Sequence, residues 1–86
     1  AAWTAMKIGL KTNDVQTLTI DPLAPATLYA GTNGGGVFKS TNGGKTWAIM
    51  NTGLRTSDIQ TLVIDPATPA TLYAGTNGGG VFKSTN

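Results

Sequence analysis

Apolar and polar residues alternate along short runs of this chain, and turn residues separate the runs. Val15 and Thr17 alternate with Leu18 and Ile20, a period of two that predicts a strand over residues 14–21. That strand reads as nearly apolar on both faces, as expected where a sheet is covered on both sides. The Asp21-Pro22 to Pro25 segment ends it, because proline cannot donate to a ladder. A second strand is predicted over 27–32, then a turn at Asn33-Gly34-Gly35, then a third strand over 36–41. Asn42-Gly43-Gly44 predicts the next hairpin turn, since Asn and Gly both accept positive φ at little cost. A fourth strand is predicted over 46–50, anchored by Trp47. No stretch carries a helical period.

The pattern then repeats. Residues 27–42 recur unchanged at 71–86, an offset of 44 residues. At that offset 10–42 aligns with 54–86, with six differences: Lys11/Arg55, Asn13/Ser57, Val15/Ile59, Thr19/Val63, Leu23/Ala67 and Ala24/Thr68. Such closeness points to recent duplication or deliberate design. A period of about 40–45 residues holding four strands is that of one blade of a β-propeller. The ends fit the same frame: residues 1–9 align with 45–53 and keep Trp3/Trp47, Met6/Met50 and Gly9/Gly53.

The expected fold is therefore all-β, a β-propeller of four-stranded antiparallel blades with two blades per chain. Residues 1–9 form the outer strand of a blade belonging to a neighbouring chain, 10–53 a complete first blade, and 54–86 the first three strands of a second. Two blades cannot close a ring alone. A head-to-tail contact between copies closes one when its rotation permits, and closure removes exposed sheet edges. The expected partner is the chain itself, in a homo-oligomer of three copies (six blades) or four (eight).

The turn Ser40-Thr41-Asn42-Gly43-Gly44-Lys45-Thr46-Trp47 resembles the Asp-box of the BNR and sialidase-like β-propellers, whose pattern is S-x-D-x-G-x-T-W. Ser40, Gly44, Thr46 and Trp47 match, and Asn42 stands where the family usually has Asp. Ser84, Asn86 and Trp3 carry the corresponding positions of the second copy, divided between the two ends. The resemblance implies that these residues form a structural turn remote from any catalytic centre. For a natural chain it also implies an extracellular or periplasmic setting. Asn serves in place of Asp because it too hydrogen-bonds its own turn.

Composition narrows the chemistry. A domain of 86 residues buries only about 60% of its unfolded surface and is marginal alone. With no Cys and no His, no disulfide, zinc site or haem site is expected, and no cofactor is called for. Net charge is +2 and the cations are scattered, so nucleic acid is not an expected partner. No run approaches the roughly 20 apolar residues of a membrane span, and none reads as a signal peptide. Ala1 in place of Met suggests a processed or trimmed chain.

The sialidase chemistry that the resemblance brings with it needs an arginine cluster and a tyrosine–glutamate pair. Arg55 is the one arginine and glutamate is absent. Tyr29 and Tyr73 read as packing residues in mid-strand, and Asp21 and Asp65, each before a proline, as turn formers. The glycine-rich Asn33-Gly34-Gly35-Gly36 and Asn77-Gly78-Gly79-Gly80 lack the GK[ST] ending and following helix of a phosphate loop. Trp3 and Trp47 offer stacking faces for a sugar, but at strand starts core packing is favoured.

Candidate ligand-binding residues are Asn33 and Asn77 in the second-to-third-strand turns, with Lys11, Asp14, Arg55 and Asp58 in the loops that enter the first strands. In a propeller these loops share one face. Asp14 and Asp58 would repeat there once per blade, holding loop amides or, as a ring of acids, a cation or water. Two functions follow: a structural self-assembling propeller without catalysis, or a sugar-binding, lectin-like propeller with one weak site per blade. A hydrolase needs two differently tuned acid–base groups close together, which identical Asp residues one blade apart do not provide. Fluorogenic glycosides and sialosides should therefore show no turnover above buffer. Turnover that disappears in an Asp14→Asn, Asp58→Asn double variant would make those residues catalytic.

Overall fold

The computed structural model describes residues 3–6, 8–10, 12, 14–50, 58–68 and 70–85. Among them the chain is all-β, with seven strands in two antiparallel sheets and no helix. The first sheet has the order β1 (Val15–Ile20), β2 (Leu28–Thr32), β3 (Gly36–Ser40), β4 (Ala48–Ile49). The second has β5 (Ile59–Ile64), β6 (Leu72–Thr76), β7 (Gly80–Ser84). Each predicted strand between residues 14 and 50 appears, though the fourth is reduced to two residues.

Pairing follows the repeat. Leu18 lies opposite Ala30 and Leu62 opposite Ala74, while Ala30 faces Phe38 and Ala74 faces Phe82. Asp21 ends β1 by accepting the Leu23 N–H at 2.9 Å on its carboxylate, and Asp65 does the same for Ala67 at 3.0 Å. Both aspartates are turn formers, as their position before proline implies.

One expectation is corrected by the register. Simple alternation sets Val15 and Thr17 on the same face of β1. A bulge between them pairs Val15 with Thr32 and Thr17 with Gly31, so the two residues point to opposite sides. The same shift separates Ile59 from Thr61 in β5. One face of the first sheet thus carries Val15, Leu18, Ile20, Leu28, Ala30 and Phe38. The other carries Thr17, Thr19, Tyr29, Gly31, Val37 and Lys39. The strand β1 is not apolar on both sides, since its second face is threonine.

The sheets stack through unlike faces. The Tyr29–Val37 face of the first sheet meets the Ile59, Leu62, Ile64, Leu72 and Ala74 face of the second, with Met50 packed at the margin. The closest approach is at Gly31. A Cβ built there would lie 2.6 Å from Ile59 Cγ2 and 2.7 Å from Thr17 Cγ2, so only glycine lets the neighbouring sheet come this near. Ile59 is fully buried as a result.

Gly31→Ala should force the sheets apart and cost about 1–3 kcal/mol, the usual penalty of overpacking. Equilibrium denaturation measures it, and an unchanged midpoint would show that the contact yields freely.

Candidate functional site

Three regions hold the residues singled out by sequence. The first is the end of the molecule where β1 and β5 begin. Asn33 donates its backbone N–H to the Asp14 carbonyl at 3.0 Å and forms an antiparallel bridge with Asp58. Asn77 donates to the Asp58 carbonyl at 3.1 Å. The structure therefore brings Asp14, Asn33, Asp58 and Asn77 to one end of the two sheets. Lys11 and Arg55 lie outside the described residues. The Asp14 carboxylate accepts from Gln16 Nε2 at 2.6 Å, and Asp58 from Gln60 Nε2 at 2.9 Å. The Asp14 N–H in turn donates to Thr12 Oγ1 at 3.1 Å. Both carboxylates are thus engaged with local side chains. Sequence reasoning passed over the two glutamines, although the Asp-x-Gln spacing is present in both units. No group of three or more acidic side chains gathers among the described residues.

The second region is the turn from Ser40 to Trp47. Ser40 is almost fully buried. Its hydroxyl accepts the Gly44 N–H at 2.9 Å and donates to Asn42 Oδ1 at 3.0 Å. Asn42 Oδ1 also accepts the Thr46 N–H at 3.0 Å, and Asn42 Nδ2 donates to Thr46 Oγ1 at 2.8 Å. Gly43 and Gly44 take the left-handed backbone, at φ 74° and 91°. Asn42 does not, so its contribution is hydrogen bonding and not a left-handed turn position. Gly43 donates to the Ala26 carbonyl at 2.9 Å and ties the turn to the loop between β1 and β2.

The N-terminal segment runs past this turn. Trp47 donates its backbone N–H to the Ile8 carbonyl at 2.8 Å and its indole N–H to the Met6 carbonyl at 3.0 Å. Trp47 shares an apolar recess of about 300 Å³ with Met6, Leu18, Leu28 and Ala30. Trp3 makes no such packing and is 100% exposed. Ser84 closes β7, and Asn86 lies outside the described residues.

The third region is a cavity of about 620 Å³ between the sheets, beside β4 and β7. Its walls include Val37, Met50, Leu62, Leu72, Ala74 and Phe82. Lys39, Thr41, Thr46, Lys83 and Ser84 also line it, so the cavity offers apolar walls with a polar margin and no carboxylate among the described residues. The sequence signals it only indirectly, through the alignment of Trp3 and Met6 with Trp47 and Met50.

Compared with known proteins, the chain matches no protein-family model and no curated protein sequence.

Ser40→Ala should leave the buried Gly44 N–H without an acceptor and cost about 1–3 kcal/mol. Asn42→Asp should cost far less. Its carboxylate keeps both acceptor bonds, and the Thr46 hydroxyl turns from acceptor to donor. Melting temperatures of the two variants check this, and an Asn42→Asp loss as large as that of Ser40→Ala would contradict the assignment.

Proposed function

We propose that the chain is a structural repeat protein that assembles with copies of itself into a closed β-propeller of Asp-box type and has no catalytic activity of its own. The observation that carries this reading is the pairing of faces. The contact between the two sheets joins one face of the first to the opposite face of the second. The 44-residue counterparts of both faces lie partly open on the outer sides, although Ala30 and Phe38 of the first sheet are buried. On one side Leu18, Ile20 and Val15 are 61%, 48% and 37% exposed, although their counterparts Leu62, Ile64 and Ile59 are core. On the other, Val63, Tyr73 and Val81 are 55%, 38% and 75% exposed, while Tyr29 and Val37 are buried. Each chain thus displays both halves of a contact that it already makes internally. Repeating that contact between copies is heterologous and ends only by closing. Patches of this kind mark interaction surfaces on soluble proteins.

A second reading, a lectin-like propeller with one weak carbohydrate site per blade, is favoured by the gathering of Asp14, Asn33, Asp58 and Asn77 at one end. Titration with simple sugars and uronic acids tests it, and uniform silence leaves the structural role alone.

Native mass spectrometry should find a single closed oligomer, with three or four chains giving six or eight blades. A folded, monodisperse monomer would end the proposal. Gly75→Ala gives an independent test. Within one chain a Cβ at Gly75 would meet only Thr61 Cγ2, at 2.7 Å. In a ring Gly75 takes the position of Gly31, with Val15 of the next copy in the place of Ile59. The substitution should then be as destabilising as Gly31→Ala, and a clearly smaller loss would count against closure.

A further inference from the structure

The cavity between the sheets repeats the wall of the smaller recess beside Trp47. Met50, Leu62, Leu72 and Ala74 line it. At the 44-residue offset they correspond to Met6, Leu18, Leu28 and Ala30, the residues that share a recess with Trp47. The same wall therefore occurs twice, and Trp47 borders both recesses. Burial along the neighbouring strand agrees. Phe38, Ser40 and Thr32 are buried, whereas their counterparts Phe82, Ser84 and Thr76 are only partly covered. In the first sheet β4 pairs with β3, while among the described residues no fourth strand lies beside β7.

We infer that this cavity is the receptor for Trp3 of a second copy, whose Trp3–Met6 segment adds to β7 as the fourth strand. The inference rests on the ring reading above and names its junction. The occupant is identified by three features. Trp3 is the large aromatic side chain that its own chain leaves fully exposed. The segment that carries it aligns with β4, Trp3 on Trp47 and Met6 on Met50. The register follows from the first sheet, where Phe38 pairs with Ile49 and Lys39 with Ala48. Transposed by 44, Phe82 pairs with Ala5 of the second copy and Lys83 with its Thr4. The Trp3 indole N–H then donates to the Met50 carbonyl, as that of Trp47 donates to Met6. Met6 and Ile8 keep their bonds to Trp47 in their own chain while Trp3 to Met6 closes the neighbour's sheet. One segment thereby links three sheets.

The absence of cysteine gives a clean test. Thr4→Cys and Lys83→Cys single variants, mixed and treated with a short bis-maleimide, should cross-link one to the other. Neither alone should do so. A Lys39→Cys, Ala48→Cys variant, which carries the same pair within one chain, calibrates the efficiency. Trp3→Ala should weaken each junction roughly a hundredfold or more, the loss expected for truncating a buried tryptophan, and should move the native mass to smaller species. If that variant fails to fold, the cross-link decides. A wild-type monomer by native mass would defeat the ring itself. An intact oligomer that shows no Thr4–Lys83 cross-link, and that Trp3→Ala leaves unchanged, would overturn this junction and leave the ring standing.

Discussion

Stacking sheets in one direction always leaves two faces uncovered, and the rest of this structure depends on how that constraint is met. The contact between the sheets is directional because each sheet has two different faces. One presents Leu, Ile and Phe; the other presents threonines, a tyrosine and the gap at Gly31 into which Ile59 fits. Such a contact cannot be satisfied by a pair. Leu18 and Ile20 stay at the surface for the same reason that Leu62 and Ile64 are buried. Each large apolar side chain left open forgoes about 1.5–3 kcal/mol relative to full burial. In a chain of 86 residues, whose core is small at best, that loss is a large fraction of net stability. The physical pressure toward closing the stack is therefore built into the repeat, and the ring proposed here is one way to relieve it.

The turn at Ser40 to Trp47 serves the same end by a different route. A hairpin between β3 and β4 must dispose of backbone groups that a short, two-residue strand cannot pair. Ser40 and Asn42 do so from within. Two side chains cover the Gly44 and Thr46 amides, and none of the described buried side-chain polar atoms is left unpaired. The turn is held here without a carboxylate. The amide of Asn42 supplies the two acceptor contacts and adds a donor to Thr46. What β4 lacks in ladder bonds is offset by Trp47, whose indole and backbone both reach the N-terminal segment.

Much of this was legible in the sequence. The repeat, the strands from β1 to β4 and the turn residues follow from period-two alternation, the 44-residue offset and the placement of Gly, Pro and Asn. The bulge after Val15 was not, because alternation gives no sign of an inserted residue until a partner strand fixes the register. That single shift decides which face Val15 and Ile59 occupy, and so which face is buried. The shortness of β4 was also hidden, since its tryptophan and apolar residues suit a longer strand. Of the candidate site, the meeting of Asp14, Asn33, Asp58 and Asn77 followed from the loop order. Their local partners Gln16 and Gln60 did not, because a glutamine in a strand has no pattern of its own. The cavity beside β7 could be seen only once both sheets were in place.

The few differences between the repeats bear on closure. A ring made of two kinds of junction, one within a chain and one between chains, closes only if the two turns together make a whole fraction of the circle. Leu23/Ala67 and Ala24/Thr68 lie outside the strands, where they leave the stacking geometry alone; Lys11/Arg55 and Asn13/Ser57 fall outside the described residues. Only Val15/Ile59 and Thr19/Val63 fall on stacked faces. The junction within the chain sets Thr19 and Ile59 on its two sides. The junction proposed between chains sets Val63 and Val15. One side loses a methylene, and the other exchanges a hydroxyl for a methyl of nearly the same shape. Neither change alters the thickness of the layer by much, and Gly31 and Gly75 mark the point of closest approach in both. The residues free to vary are those that do not set the angle, and the residues that set it have hardly varied.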